Sequence, residues 1–249
     1  MKRYQELFSL PQVISLGLAA FPARLAYGMI GLGIFFKAEQ STGSFAIAGF
    51  AIGLNSLAGS LTAGIRGSIM DRWGQKWPLR ILVPGYTILI LTLNQMDTAR
   101  SILIAAFVLG ITAPPINLSV RPLWKDIVPA TYLRTAYAFD SAMMSSTTVI
   151  GPVIVTSLAL SSRPSLALNV TAALMLAGGF ALAMTPVSRN WVPEKKVKGQ
   201  EKLLKNRAIQ ILMFEGCFIG FGWGVFDVVV PAFATQENVP QRVAWIFAA

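Results

Sequence analysis

The sequence predicts an all-α fold, a polytopic membrane helical bundle, and three observations carry that expectation. Hydrophobic residues make up 54% of the 249 and charged ones only 13%, a balance that water-soluble domains rarely show. The apolar residues gather into runs of about 20, the length an α-helix needs to cross a hydrocarbon core. The 21 Lys and Arg, against 11 Asp and Glu, cluster in the short segments between those runs.

Seven runs qualify as spans, at 10–35, 43–63, 79–96, 102–120, 135–160, 165–185 and 208–234. The first starts from the basic MKRYQEL, but its apolar stretch continues well past a signal-peptide core, so it reads as a retained span. In the second, Gly49 and Gly53 are four apart, as are Gly216, Gly220 and Gly224 in the seventh, a spacing that lets helix backbones approach closely. Proline interrupts the first span at Pro22, the fourth at Pro114 and Pro115, and the fifth at Pro152. Each removes a backbone donor and favours a bend, tolerable in lipid only against protein or a water-filled cavity. After Pro240 the run RVAWIFAA begins an eighth span that stops at Ala249.

Positive side chains are retained on the cytoplasmic side of short loops. With a cytoplasmic N-terminus, sixteen cations fall inside and four, Lys37, Arg100, Arg163 and Arg242, fall outside, with Arg24 left within a span. The longest hydrophilic segment, SRNWVPEKKVKGQEKLLKNR at 188–207, is then a cytoplasmic basic linker whose charges are solvated. This topology accounts for the basic excess better than nucleic acid does, since no recognition motif accompanies the charges. A lone cysteine, Cys217, excludes an internal disulfide framework. The absence of histidine excludes His-containing zinc sites, Ser-His-Asp triads and His proton relays. No H-E-x-x-H, nucleotide loop or G-x-S-x-G is present, so an enzyme is not expected.

Between the second and third spans lies GSIMDRWGQK, residues 67–76. Its glycines permit a sharp turn, and fixed charges at the membrane surface can pair with neighbouring helix ends. Gly67, Asp71, Arg72, Gly74 and Lys76 resemble the signature loop of the major facilitator superfamily, with Gln75 where that family usually has arginine. Residues 117–142 are similar to the corresponding loop of its drug- and macrolide-efflux members, through Arg121, Val128, Pro129, Leu133, Ala136 and Ser141. Gly151 and Pro152 resemble the Gly-Pro motif of family antiporters, although Val155 and Thr156 stand where a Gly-Gly is usual.

The resemblance implies two six-span halves rocking around a midplane site. It implies an N-terminal half at 1–187, the linker at 188–207, and an incomplete start of the C-terminal half at 208–249, the missing remainder being needed for a complete transporter. It further implies a multi-pass protein of the bacterial inner membrane and a small-molecule substrate. No cofactor is expected, a proton gradient being the energy source. Proton-coupled efflux of hydrophobic or amphipathic compounds is the leading expectation. Solute symport and a non-transporting scaffold or sensor are its rivals.

Ionisable residues inside spans are costly enough to suggest function. Arg24 shares a small, polar face with Gly17, Tyr27, Gly28 and Gly31, and either holds an anionic substrate or pairs with a carboxylate. Asp140 shares a face with Met144, Thr147 and Gly151 and is expected to pair with the Asp71/Arg72 loop as part of a conformational latch. Glu215 and Asp227, about 18 Å apart along one helix, are the protonatable carboxylates available for coupling, unless Asp227 lies solvated at the outer interface. Asn55, Asn117, Ser145, Ser146 and Thr148 either line a cavity or bond between helices. Trp223 and Phe226 are expected to pack helices.

Overall fold

A computed structural model describes residues 2–193 and 206–248, and among these there is no strand. The helices are α1 (Lys2–Ser9), α2 (Val13–Thr42), α3 (Phe45–Trp73), α4 (Lys76–Asn94), α5 (Ala99–Thr112), α6 (Ile116–Ile127), α7 (Ala130–Ala159), α8 (Leu166–Met184), α9 (Pro186–Asn190), α10 (Arg207–Gln236) and α11 (Arg242–Ala248). Six stretches are long and apolar enough to cross a membrane: α2, α3, α5 with α6, α7, α8 and α10. The protein is therefore multi-pass. The expected third span, α4, is a 19-residue helix carrying Lys76, Arg80, Pro78 and Pro84, and it falls outside that set although it packs along α8 and α5.

Local chemistry explains the helix ends. Ser44 and Thr98 cap α3 and α5 through side chains that accept from Ile47 N and Ser101 N, satisfying donors left open at a helix start. Gly74 ends α3 at φ 72°, a conformation that L side chains rarely adopt. Because Gly64 and Gly67 stay helical and Gly74 is the first residue of this stretch at positive φ, α3 runs ten residues past the expected end of its span. Gly67, Asp71 and Arg72 are thus helical, and the expected loop shrinks to Gly74 and Gln75. The fourth span breaks at 113–115, where Pro114 and Pro115 separate α5 from α6.

The core is built around α2, which packs chiefly on α8 and α7 and then on α3. Met29, Ile34 and Phe35 of α2, Tyr86 of α4 and Trp124 of α6 are among its largest fully buried side chains. Where α2 crosses α7 the backbones nearly touch: a Cβ on Gly28 would stand 2.5 Å from the Thr147 carbonyl oxygen, and one on Gly151 2.8 Å from the Gly28 carbonyl.

The bundle has two ends, each bound by its own contacts. At one, Lys37 Nζ meets Asp97 Oδ1 at 2.9 Å, Asn94 Nδ2 donates to Ser165 O at 3.1 Å, and Gln40 Nε2 donates to Ala159 O at 3.1 Å. At the other, Tyr132 Oη donates to Glu6 Oε2 at 3.1 Å, joining α7 to α1.

Helix α10 meets the bundle mainly through its C-terminal part, where Pro231 and Ala234 are buried. Residues 207–226 are almost entirely exposed. The expectation that Gly216, Gly220 and Gly224 face a tightly packed helix is not met among the described residues, since a Cβ on any of them would meet nothing within 4 Å. Lys195, Lys196, Lys198, Lys202 and Lys205 of the basic linker lie outside the described residues.

Candidate functional site

Arg24 reaches from α2 to α7, where Nη1 donates to Asp140 Oδ1 at 2.8 Å. Trp124 of α6 donates from Nε1 to the same oxygen at 3.0 Å, and the exposed Arg121 stands 4.0 Å from Oδ2. Of the two roles expected for Arg24, the structure brings together the carboxylate pair. It corrects the role expected for Asp140: that carboxylate is buried on Arg24, while Asp71 and Arg72 lie exposed on the last turn of α3. The reason is length, because α3 stretches about 43 Å and carries its charged last turn past the bundle wall.

The inward contact of the signature stretch comes instead from Gln75. Its side chain is buried, donating from Nε2 to Ser119 O of α6 at 2.9 Å and accepting at Oε1 from Ser188 Oγ of α9 at 3.1 Å. The residue that departs from the family pattern is therefore the one that ties the α3–α4 turn to two other helices. Lys76 lies 5.5 Å from the ring centroid of Trp77, near the surface.

Two cavities lie deeper, and Tyr27 lines both. The larger, about 740 Å³, is an open cleft between α2, α7, α10 and α11. Its lining is mostly apolar: Gly28, Gly31 and Leu32 on one side, Thr148 and Pro152 on another, and Ile219, Trp223, Phe226, Ile246 and Phe247 opposite. Asp227 is its one carboxylate. Of Trp223 and Phe226, expected to pack helices, Phe226 meets Phe247 of α11 edge-on at 5.1 Å, and both also form cavity wall. Glu215 does not line this space and is exposed on α10, so the two candidate carboxylates do not converge.

The smaller cavity, about 170 Å³, sits at the break between α5 and α6. Tyr27 Oη donates to the Pro114 carbonyl there, and its ring lies 6.1 Å from that of Tyr86. Asn117 also lines it, with a buried Oδ1 that has no partner. Sequence reasoning counted Arg66 only among the loop cations. The structure puts it on α3, with Nη1 donating to Gly110 O at 3.1 Å and Ala113 O at 2.6 Å, and Nη2 donating to Gly59 O at 2.6 Å. A guanidinium at the C-terminus of α5 satisfies carbonyls that the broken helix leaves open. The signal was the pair Pro114–Pro115, which announces such carbonyls.

The other polar candidates serve the helices. Asn55 Nδ2 donates to Ala106 O at 3.0 Å, joining α3 to α5, and Ser146 and Thr148 bond back to carbonyls of α7. Among the described residues no cluster of three or more His, Cys, Asp or Glu could hold a metal ion.

Comparison with known proteins agrees with this architecture. The profile of the Major Facilitator Superfamily matches residues 16–249. An uncharacterised MFS-type transporter of Sinorhizobium fredii is 25% identical over 243 residues, covering 92% of this chain and 60% of its own length. Among solved structures, a mutant of the peptide transporter POT superposes with a TM-score of 0.55 at 15% identity, covering 89% of this chain and 49% of that one. The same transporter in complex with sulfate gives 0.52 at 15% identity, covering 96% and 54%. The chain thus spans 49% to 60% of the length of these relatives, and the likeness to the solved structures shows the fold.

Proposed function

Because the chain belongs to the major facilitator superfamily, whose profile covers residues 16–249, we propose that it acts by alternating access to export hydrophobic or amphipathic compounds in exchange for protons. Membership makes it a transporter and not an enzyme. The observation that supports the finer reading is the position of Asp227. It is the one carboxylate lining a mostly apolar chamber of about 740 Å³, with Trp223 and Phe226 beside it. An apolar chamber favours apolar cargo, and a carboxylate that gains and loses a proton there changes what the chamber accepts. The Arg24–Asp140 pair is already committed between helices, and among the described residues Asp227 is the carboxylate that lines the chamber, which makes it the coupling group of this reading. In this reading the N-terminus faces the cytoplasm and the membrane is the bacterial inner membrane.

The test is transport by the full-length protein in proteoliposomes with an imposed proton gradient, using a panel of fluorescent aromatic amphipaths. Proton-driven export that Asp227→Asn abolishes, while gradient-free exchange of the same dye continues, is the expected result. Gradient-driven accumulation in the opposite direction would establish symport. The absence of any flux would establish the non-transporting reading.

A further inference from the structure

The smaller cavity holds a cation with no carboxylate. Among the described residues no Asp or Glu lies within 4.0 Å of Arg66, whose hydrogen bonds all go to backbone carbonyls. Those bonds use Nη1 and Nη2. Nε is buried without a partner, and so is Asn117 Oδ1. Both residues line the same 170 Å³ space. With nothing fixing its amide, Asn117 can turn either its oxygen or its nitrogen toward an occupant. Neutral carbonyls solvate a guanidinium but leave its charge, and Arg66, half-buried in the C-terminal third of α3, keeps that charge available to a ligand. An oxyanion bonded to Nε would supply both the missing hydrogen bond and the missing charge.

We infer that the Arg66–Asn117 pocket receives the anionic head, a carboxylate or similar small oxyanion, of an amphipathic substrate whose apolar body occupies the larger chamber. This rests on the reading of that chamber as the transport cavity. Tyr27 lines both spaces, so one side chain separates head from body. Size agrees: 170 Å³ holds a carboxylate with a few waters, at about 30 Å³ per water, but not an aromatic body of any extent. Charge agrees as well, since Asp227 lines only the larger chamber and stays clear of the anion. The roles first considered for Arg24 are thereby divided: Arg24 takes the internal carboxylate and Arg66 the external one.

Three probes with one aromatic body and different heads test this: naphthylacetate, naphthylethanol and naphthylethylammonium. Equilibrium binding to the purified full-length protein is measured by calorimetry. The wild type should bind naphthylacetate about tenfold or more tighter than naphthylethanol, the factor expected of one charge-assisted hydrogen bond. Arg66→Gln should erase that preference and Arg66→Lys should keep part of it. Since Arg66→Gln also uncaps α5, Asn117→Asp provides a second line: it leaves the cap in place and should turn the preference toward the ammonium probe. Equal binding of acetate and alcohol, or an acetate preference that survives both Arg66→Gln and Asn117→Asp, overturns the pocket assignment and leaves the transport reading standing. Failure of all three probes to bind, together with no flux of the dye panel, overturns both.

Discussion

Arg24 and Asp140 face each other across α2 and α7 with Nη1 2.8 Å from Oδ1, each side chain 2% exposed. They are 116 residues apart in the chain, and Trp124 closes over the same carboxylate. Removing one partner leaves the other charge buried alone, which costs about 3–5 kcal/mol, whereas replacing both with apolar groups costs much less. Arg24→Leu and Asp140→Leu should each lower the thermal unfolding midpoint in detergent sharply. The double variant should recover most of the loss, and a double variant no better than the sum of the singles would sink the pairing.

Gln75 should prove more important to stability than the exposed charges beside it. Gln75→Leu strands the Ser188 hydroxyl and removes the tie to the Ser119 carbonyl, a loss of about 1–3 kcal/mol. Gln75→Arg, which restores the residue usual in the family, should be worse, because the buried site offers one carbonyl and one hydroxyl and no carboxylate. Asp71→Asn and Arg72→Gln should change the unfolding midpoint little. Stabilisation by Gln75→Arg would contradict the geometry.

At the α2–α7 crossing no side chain fits. Gly28→Ala brings a methyl group to 2.5 Å from Thr147 O and Gly151→Ala brings one to 2.8 Å from the Gly28 carbonyl, so backbone must move in both. Overpacking of this kind costs about 1–3 kcal/mol. Gly31→Ala, where a Cβ meets nothing within 4 Å, is the control and should behave as wild type in the same unfolding assay.

The orientation is open to direct labelling. In a Cys217→Ser background, Thr131→Cys and Ser162→Cys place single thiols at the two ends of α7, both at exposed positions. An impermeant maleimide should reach Ser162→Cys in intact cells and Thr131→Cys only after lysis or in everted vesicles. Labelling of both from one side would defeat the assignment.

Most of the fold was legible because membrane spans are long-range averages: about 20 apolar residues outweigh any single misplaced polar one. Boundaries were less legible. Helix α3 continues to Trp73 because charged residues do not stop a helix; Gly74 does. Long-range partners were not legible at all. Asp140 offered two nearby-looking cations in the signature stretch, and only the packing of α2 on α7 selects Arg24 over Arg72. Arg66 was hidden for a related reason, since the glycine that follows it suggested a loop, whereas its meaning comes from carbonyls 44 and 47 positions away. Asp227 was legible as a candidate because a carboxylate in an apolar run stands out, but Glu215 stands out equally and faces away.

The buried contacts of Gln75 also set how this turn senses its surroundings. A fastening made of ion pairs at the membrane surface weakens as counterions accumulate, over a Debye length of about 8 Å at physiological ionic strength. The amide of Gln75 carries no net charge and is 1% exposed, so neither dissolved salt nor the surface potential of anionic lipids acts on it directly. The grip of the α3–α4 turn on α6 and α9 is therefore nearly constant from dilute buffer to brine and from neutral to anionic bilayers.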